Sequence, residues 1–296
     1  MTQFMNNERA REHSVEKKLY EQSYRDKHHF SFGKNWQIFL RTLNSEKIEE
    51  AEKSLVDFLG GRKSIEGKTF VDVGCGSGLF SLAAYRLGAS QVLSVDIDEF
   101  SLACAKHLRK QELSPNNWAI QKGSALDKEF LGSLGTFDIV YSWGVLHHTG
   151  DMYRALENTA SLATENSLLY IALYNESQHF LEGTSKFWVR AKMVYNKSNT
   201  LLKKIFEGVY TSYYVAGLLA HFKNPIRYIK NYQSLRGMNF YTDIKDWLGG
   251  YPYEYSTPEQ IINFFLERNF EHEKTVKARS LGCNEFLFRK KIHRNQ

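Results

Sequence analysis

The chain has 296 residues, of which 42% are apolar and 14% aromatic, and 39 Lys and Arg against 33 Asp and Glu give a formal charge of +6. These values are typical of an ordinary globular protein of one or two domains and exclude collagenous, low-complexity and wholly disordered chains. Cys75, Cys104 and Cys283 are too few for a disulfide framework and include no CxxC pair. We therefore expect no zinc site and a reducing, cytoplasmic compartment.

The first 66 residues predict an N-terminal helical segment. Residues 1–28 are charged and contain no apolar stretch, so we expect neither a signal peptide nor a membrane anchor there. Asn44 or Ser45 can cap an amphipathic helix, and Gly60 supplies its end.

From Lys68 onward, strand and helix patterns alternate. A short apolar strand runs into a glycine turn, and the strands QVLSVDID, WAIQK, FDIVYSW and SLLYIALYN follow with helices between them. This alternation predicts right-handed crossovers and a doubly wound, mostly parallel α/β sheet over residues 67–178. The alternation stops after Asn175 and returns over residues 258–296 as a Pro-started helix and two late strands that complete the core.

The glycine turn reads Asp72-Val73-Gly74-Cys75-Gly76-Ser77-Gly78, and Asp96 ends the next strand. Glycines at alternate positions let the backbone turn tightly and approach a ligand, and an acid at the end of the second strand can accept hydrogen bonds from ribose hydroxyls. Leu79 stands where a dinucleotide motif needs its third glycine, and the Asp72 carboxylate would lie beside a pyrophosphate, so NAD is disfavoured. A cationic nucleoside ligand without phosphates suits this turn better.

In order and spacing, these residues resemble the glycine motif and second-strand acid of the class I S-adenosylmethionine-dependent methyltransferases. The resemblance implies a Rossmann-like methyltransferase fold and S-adenosyl-L-methionine as the cofactor. In related methyltransferases an N-terminal segment closes over the cofactor and contacts its carboxylate, and Lys34 or Arg41 can make this contact here. The alternative is a surface cation beside a packing tryptophan, Trp36. The cofactor-binding residues that the resemblance implies are Asp72, Gly74, Cys75, Gly76, Gly78, Asp96, Ile97, Ser124, Ala125, Ser142 and Trp143.

Two adjacent histidines, His147 and His148, follow the fourth strand. Methyl transfer to a hydroxyl requires removal of a proton, and histidine titrates in the useful range. The nearest resemblance is to the ubiquinone-pathway O-methyltransferases, which have an acid and then a histidine at these positions. His148 matches the family histidine and is our candidate catalytic base, whereas His147 replaces the acid and is a candidate substrate contact. We expect no metal, and the alternative is that both histidines only orient the loop.

Residues 179–257 predict an inserted helical lid. Between Gly183 and Asn231, nine basic residues stand against the single acid Glu207, with aromatic residues interleaved. A nucleic-acid backbone, an anionic membrane surface presenting a lipid-linked acceptor, a small acidic substrate, or simply a solvated helical face would each account for this charge. Beyond this stretch, Tyr251 and Tyr253 lie in a Gly-Pro turn and are candidates for the acceptor wall.

The sequence therefore predicts methyl transfer from S-adenosylmethionine to a small-molecule, glycan or lipid-linked acceptor. O-methylation is preferred because the fourth-strand motif lacks the NPPY-like tetrad typical of amino-group methylation of bases. No recognised RNA-binding module accompanies the basic lid, so nucleic acid is not favoured as a partner, and peripheral membrane contact stays open. Two alternatives remain: an RNA methyltransferase, and a non-catalytic scaffold that binds S-adenosylmethionine without turnover.

Overall fold

The computed structural model describes residues 32–178, 183–236, 239–278 and 281–292. The predictions for residues 1–28 lie outside the described residues. Within the described residues, two helices precede the sheet: α1 (Gly33–Leu40) and α2 (Ser45–Leu59). Asn44 caps α2, as its side chain accepts a hydrogen bond from the Lys47 backbone N–H, and Gly60 ends the helix in the left-handed conformation.

A seven-stranded sheet forms the core, in the spatial order β3-β2-β1-β4-β5-β7-β6. Neighbouring strands among β1 to β5 pair in parallel, and β7 runs antiparallel to both β5 and β6. This confirms the prediction of a doubly wound, mostly parallel sheet. The strands are β1 (Thr69–Val73), β2 (Gln91–Asp96), β3 (Trp118–Lys122), β4 (Phe137–Trp143), β5 (Ala163–Tyr174), β6 (Phe270–Val276) and β7 (Cys283–Lys290).

Helices cover both faces of the sheet because side chains alternate between faces along each strand. One apolar core contains Val71 and Leu156, and the other contains Phe70 and Leu82. Adjacent residues of β1 thus serve opposite cores. The covering helices that follow strands are α3 (Leu79–Arg86), α4 (Glu99–Gln111), α5 (Lys128–Ser133) and α6 (Met152–Ala160), and α11 (Pro258–Leu266) precedes β6.

The described residues between β5 and α11 form four helices with an apolar core of their own. They are α7 (Ser185–Lys197), α8 (Thr200–Ala220), α9 (Pro225–Arg236) and α10 (Phe240–Gly249). Their shared core is largely aromatic and includes Trp188, Tyr195 and Phe240. No helix in the described ranges is long and apolar enough to cross a membrane. We refer to α7 to α10 as the helical insertion.

Candidate active site

A cavity of about 810 Å³ opens at the carboxyl ends of β1, β2 and β4. The glycine turn lines one end, and side chains of the helical insertion line the other. Between them lie His147 and His148, on the 3-10 turn that follows β4. The cavity therefore lies between the glycine turn, which is a continuous stretch of sequence, and a wall of residues from the helical insertion, more than 100 positions further along the chain. We call its two parts the glycine-turn end and the insertion end.

Asp96 fixes the shape of the glycine turn. Its Oδ2 accepts a hydrogen bond from the Gly76 N–H at 2.9 Å, and its Oδ1 accepts one from the Asp98 N–H at 2.8 Å. Burial raises the pKa of Asp96 to about 6, although these backbone N–H groups favour the carboxylate. Asp96 thus holds the end of β2 to the turn while lining the cavity.

A chain of buried hydrogen bonds leads to Asp72. The Trp118 indole donates to the Ser94 Oγ at 2.9 Å, the Ser94 hydroxyl to the Ser81 Oγ at 2.7 Å, and the Ser81 hydroxyl to Asp72 Oδ2 at 2.7 Å. Burial nevertheless raises the pKa of Asp72 to about 7. The network orients one oxygen of this carboxyl group, whose ionised form a cation in the cavity would stabilise.

Two of the glycines are required by close neighbours. Gly76 has φ +52°, and a Cβ there would stand 2.9 Å from Nε1 of Trp36. Gly78 has φ +80°, and a Cβ there would stand 2.8 Å from the Cα of Ala105 on α4. The first glycine lets α1 lie over the turn, and the second lets α4 pack beside the start of α3.

The two histidines hold their protons on opposite ring nitrogens. Burial keeps the pKa of His147 well below its usual range, and its Nδ1 accepts the Tyr174 backbone N–H at 3.3 Å, so the proton of this neutral ring is on Nε2. His148 Nδ1 lies 2.6 Å from the carbonyl oxygen of Pro252, which can only accept, so Nδ1 carries the proton. The lone pair of the neutral His148 ring is then on Nε2. These assignments follow from the hydrogen-bond partners.

The insertion end is aromatic and holds two acids. Asp246 accepts a hydrogen bond from the Asn35 side chain of α1, and Asp243 accepts one from the Tyr232 hydroxyl. Burial raises the pKa of Asp246 to about 8. Among the described residues that line the cavity, none is Lys or Arg. The aromatic members of this wall are Tyr174, Trp188, Tyr210, Tyr213, Tyr214, Tyr232, Phe240, Trp247 and Tyr251.

The structure brings most of the predicted site residues to this one cavity. Those that line it are Asp72, Gly74, Cys75, Gly76, Asp96, Ile97, Ser124, Ala125, Trp143, His147, His148 and Tyr251. Three others do not line it: Gly78 packs on Ala105, the buried Ser142 hydroxyl donates to the Val73 carbonyl at 2.7 Å, and Tyr253 packs behind the wall against Tyr174.

Of the two interpretations of the N-terminal segment, the structure favours a surface cation and a packing tryptophan. Lys34 lies over the ring of Phe100, at 5.7 Å from its centroid, and neither Lys34 nor Arg41 lines the cavity. The neighbouring Trp36 and Phe39 line it instead. The helical spacing of these two aromatics, three residues apart, was the available sequence signal. Asp243 and Asp246 share the same spacing but gave no signal of their own, since acids on a helix are usually solvated.

Comparison with known proteins identifies the family of the chain. A family model described as a methyltransferase domain matches residues 65–224. Ribosomal protein L11 methyltransferase of Thermotoga petrophila is 45% identical over 78 residues, which are 26% of this chain and 27% of that protein. Ubiquinone biosynthesis O-methyltransferase of Rhizobium rhizogenes is 32% identical over 116 residues, which are 39% of this chain and 44% of that protein. The chain thus spans less than half the length of either relative.

A solved structure shares the fold at low sequence identity. PKMT2 from Rickettsia typhi, in complex with AdoHcy, has a TM-score of 0.53 and 15% identity, and the alignment covers 77% of this chain and 50% of that one. At this identity the likeness concerns the fold, and the family rests on the match over residues 65–224.

Proposed function

The chain belongs to the methyltransferase-domain family, as a class I S-adenosylmethionine-dependent methyltransferase, and from this premise we propose that it methylates a hydroxyl of an uncharged, largely apolar acceptor. The observation that carries the proposal is the position of His148: its ring lines the cavity, and its Nδ1 lies 2.6 Å from the Pro252 carbonyl oxygen, so Nε2 is the basic nitrogen of the ring. The acceptor class follows from the wall at the insertion end.

The residues at the glycine-turn end fit S-adenosylmethionine. This group supplies an electrophilic methyl on a sulfonium, together with an ammonium and a ribose. Asp96 lies where an acid can accept hydrogen bonds from the ribose hydroxyls. Asp72 offers a buried carboxyl group that favours a cation, and the Trp36 indole lies against the turn and lines the cavity. A cavity of about 810 Å³ is large enough for a nucleoside and a second small molecule.

His148 would act as the general base. Nε2 of His148 would take the hydroxyl proton of the acceptor as the acceptor oxygen receives the methyl group that bound S-adenosylmethionine would supply, leaving S-adenosylhomocysteine. The Pro252 carbonyl accepts the Nδ1–H and stabilises the imidazolium that results. His147 has its Nε2–H buried without a hydrogen-bond partner, so it can donate to an acceptor oxygen rather than remove its proton.

The lining of the insertion end supports an uncharged acceptor. A phosphorylated or acidic acceptor would need a cation nearby, and no Lys or Arg lines the described part of the cavity. The aromatic wall instead suits a ring system or an apolar chain that carries a hydroxyl. Among the acceptors that the sequence left open, a small or lipid-linked molecule fits this wall better than an RNA.

The test is a search for the methylated product. The purified chain is incubated with methyl-labelled S-adenosylmethionine and an extract of the cells that produce it, and the extract is then separated into organic-soluble, aqueous small-molecule, RNA and protein fractions. Label in the organic-soluble fraction, in a product whose mass and NMR spectrum show a methoxy group, supports the proposal. The control is Asp96→Ala, which should abolish both S-adenosylhomocysteine binding and labelling.

Other outcomes would identify the rivals. Label confined to RNA or protein would contradict the proposal and support a macromolecular acceptor. Binding of S-adenosylhomocysteine with no label in any fraction would support the non-catalytic scaffold.

The three cysteines are free thiols in the structure, which supports our proposal of a reducing, cytoplasmic compartment.

A further inference from the structure

Helix α8 has two faces with different surroundings. Tyr210 and Tyr214 line the cavity, and Leu218, one turn further along the same side, is buried. Leu201, Ile205 and Val209 recur every four residues on the other side and are 69%, 53% and 66% exposed. The helix is thus a wall between the cavity and the exterior, with apolar side chains on its outer side.

The apolar surface continues into the turn after α8. Leu219 is exposed near the end of the helix, Phe222 is 99% exposed in the turn, and Ile226 is exposed in the first turn of α9. Exposed large apolar side chains that gather on one element and the turn beside it mark contact sites more often than singly exposed ones do. We define the outer face as Leu201, Ile205, Val209, Leu219, Phe222 and Ile226.

Cations border the outer face. Lys204 is exposed on α8, Lys223 follows Phe222 directly, and Arg227 follows Ile226 directly. Nearby, Lys197 and Lys230 are also exposed. The single acid between Gly183 and Asn231, Glu207, is half-buried and accepts a hydrogen bond from the Tyr195 hydroxyl. The exposed charge around the outer face is therefore positive.

We propose that the outer face docks on an anionic membrane surface, with α8 lying in the plane of the interface. An exposed apolar stripe bordered by Lys and Arg is the pattern of an interfacial helix: the apolar side chains enter the headgroup region and the cations pair with anionic lipids. Phe222 at the tip of the turn would enter first. A purely electrostatic partner such as RNA would leave the six apolar side chains of the outer face unexplained.

Docking in this orientation would narrow the acceptor class of the proposed function, and only that part of the inference rests on the proposed function. Because the inner face of the same helix lines the cavity, a docked α8 would hold the insertion end at the membrane surface. The acceptor class would then be an amphiphilic or lipid-linked molecule that carries a hydroxyl. Docking itself requires no methyl transfer, so the two proposals can fail separately.

The experiment is co-sedimentation of the full chain with vesicles of phosphatidylcholine alone and of phosphatidylcholine mixed with phosphatidylglycerol. We expect binding to the mixed vesicles and little to the neutral ones. Ile205→Asp with Val209→Asp should abolish binding. Lys223→Glu with Arg227→Glu should weaken it at least about tenfold, because two cations that attract anionic lipids are replaced by anions. The matched controls are Leu113→Asp, at an exposed leucine outside the insertion, and Lys106→Glu with Lys110→Glu.

Three results would overturn the proposal. One is no binding of the wild type to mixed vesicles, and the second is binding that the controls reduce as much as the outer-face variants do. The third is a dimer in sedimentation velocity, or a complex with RNA, that the outer-face variants abolish while vesicle binding is absent. Calorimetry with S-adenosylhomocysteine is run on each variant. Retained affinity shows an intact fold and separates a failure of docking from a failure of the cofactor site.

Discussion

The indole of Trp36 lies against the backbone of Gly76, so closely that a Cβ on the glycine would stand 2.9 Å from Nε1. This contact brings the first described helix over the turn that we assign to the cofactor. Gly76 also has a positive φ and donates its N–H to Asp96. Gly76 therefore allows the turn to form, holds Asp96 through its N–H, and leaves room for Trp36.

Trp36→Ala should weaken S-adenosylhomocysteine binding about tenfold, because an aromatic face that covers the site contributes on the order of 1 kcal/mol or more. Gly76→Ala should weaken it further, since the side chain meets Trp36 and strains the turn. Calorimetry measures both. Phe222→Ala, at an exposed aromatic far along the insertion, is the control, and equal affinity in wild type and Trp36→Ala would contradict the assignment.

Cofactor binding should depend on pH through Asp72. The pKa of about 7 in the free chain means that the group is largely protonated at pH 6, and a bound cation favours the carboxylate. S-adenosylhomocysteine affinity should therefore rise from pH 6 to pH 8. Asp72→Asn should bind weakly with a flatter profile. A wild-type affinity that stays constant over this range would argue against contact between Asp72 and the cation.

Asp72 should also lower stability when ionised. Its folded pKa of about 7 exceeds the unfolded value of 3.8, so the folded state binds more protons between these values and stability falls as pH rises through that window. Asp72→Asn should raise the free energy of unfolding at pH 8 by about 1–3 kcal/mol. Urea denaturation at pH 8 and pH 5 checks this, and the gain should shrink at pH 5. A variant less stable than wild type at pH 8 would refute it.

His148→Gln should lower kcat for the labelled acceptor about 100-fold or more, the usual contribution of a general base. S-adenosylhomocysteine affinity should be unchanged. His147→Gln should mainly raise KM, because its Nε2–H is a donor and not a base. Steady-state kinetics separates the two. Equal kcat values for His148→Gln and wild type would remove His148 from the mechanism.

Gly250→Ala tests the position of the His148 ring. A Cβ at Gly250 would stand 3.2 Å from Cε1 of His148 and 3.0 Å from the Asp246 carbonyl oxygen, so the ring or the turn must move. We expect a lower kcat with unchanged S-adenosylhomocysteine affinity. Gly132→Ala is the matched control, because no atom lies within 4 Å of that Cβ. An unchanged kcat would contradict the prediction that catalysis depends on the position of the His148 ring.

The sequence predicted what is encoded by residues close together in the chain. The order of strands and helices follows from local periodicity, and the glycine turn with Asp96 spans 25 positions, so its geometry could be expected from spacing. The histidine tautomers could not, because Pro252 stands 104 positions from His148. The contact between Trp36 and Gly76 could not be predicted either, because it forms only through tertiary packing. Lys34, whose charge made it the stronger candidate, lies over the Phe100 ring instead.

The insertion illustrates the same limit. Its nine cations were visible in the sequence, and their number suggested an anionic substrate as readily as an anionic surface. Only the structure separates the exposed cations from Lys192, which is buried, donates to the Trp247 carbonyl and lies 4.9 Å from the Tyr253 ring. Burial lowers the pKa of Lys192 to about 7. The sequence gives the number of charged side chains, but whether each one is exposed or buried depends on which face of its helix packs inward.

The hydrogen bond between Asn35 and Asp246 joins helix α1 to helix α10 across 211 positions of the chain. One helix covers the glycine-turn end of the cavity and the other walls its insertion end. Opening either end therefore disturbs the other. We therefore expect departure of the spent donor from one end of the cavity to be coupled to departure of the methylated product from the other.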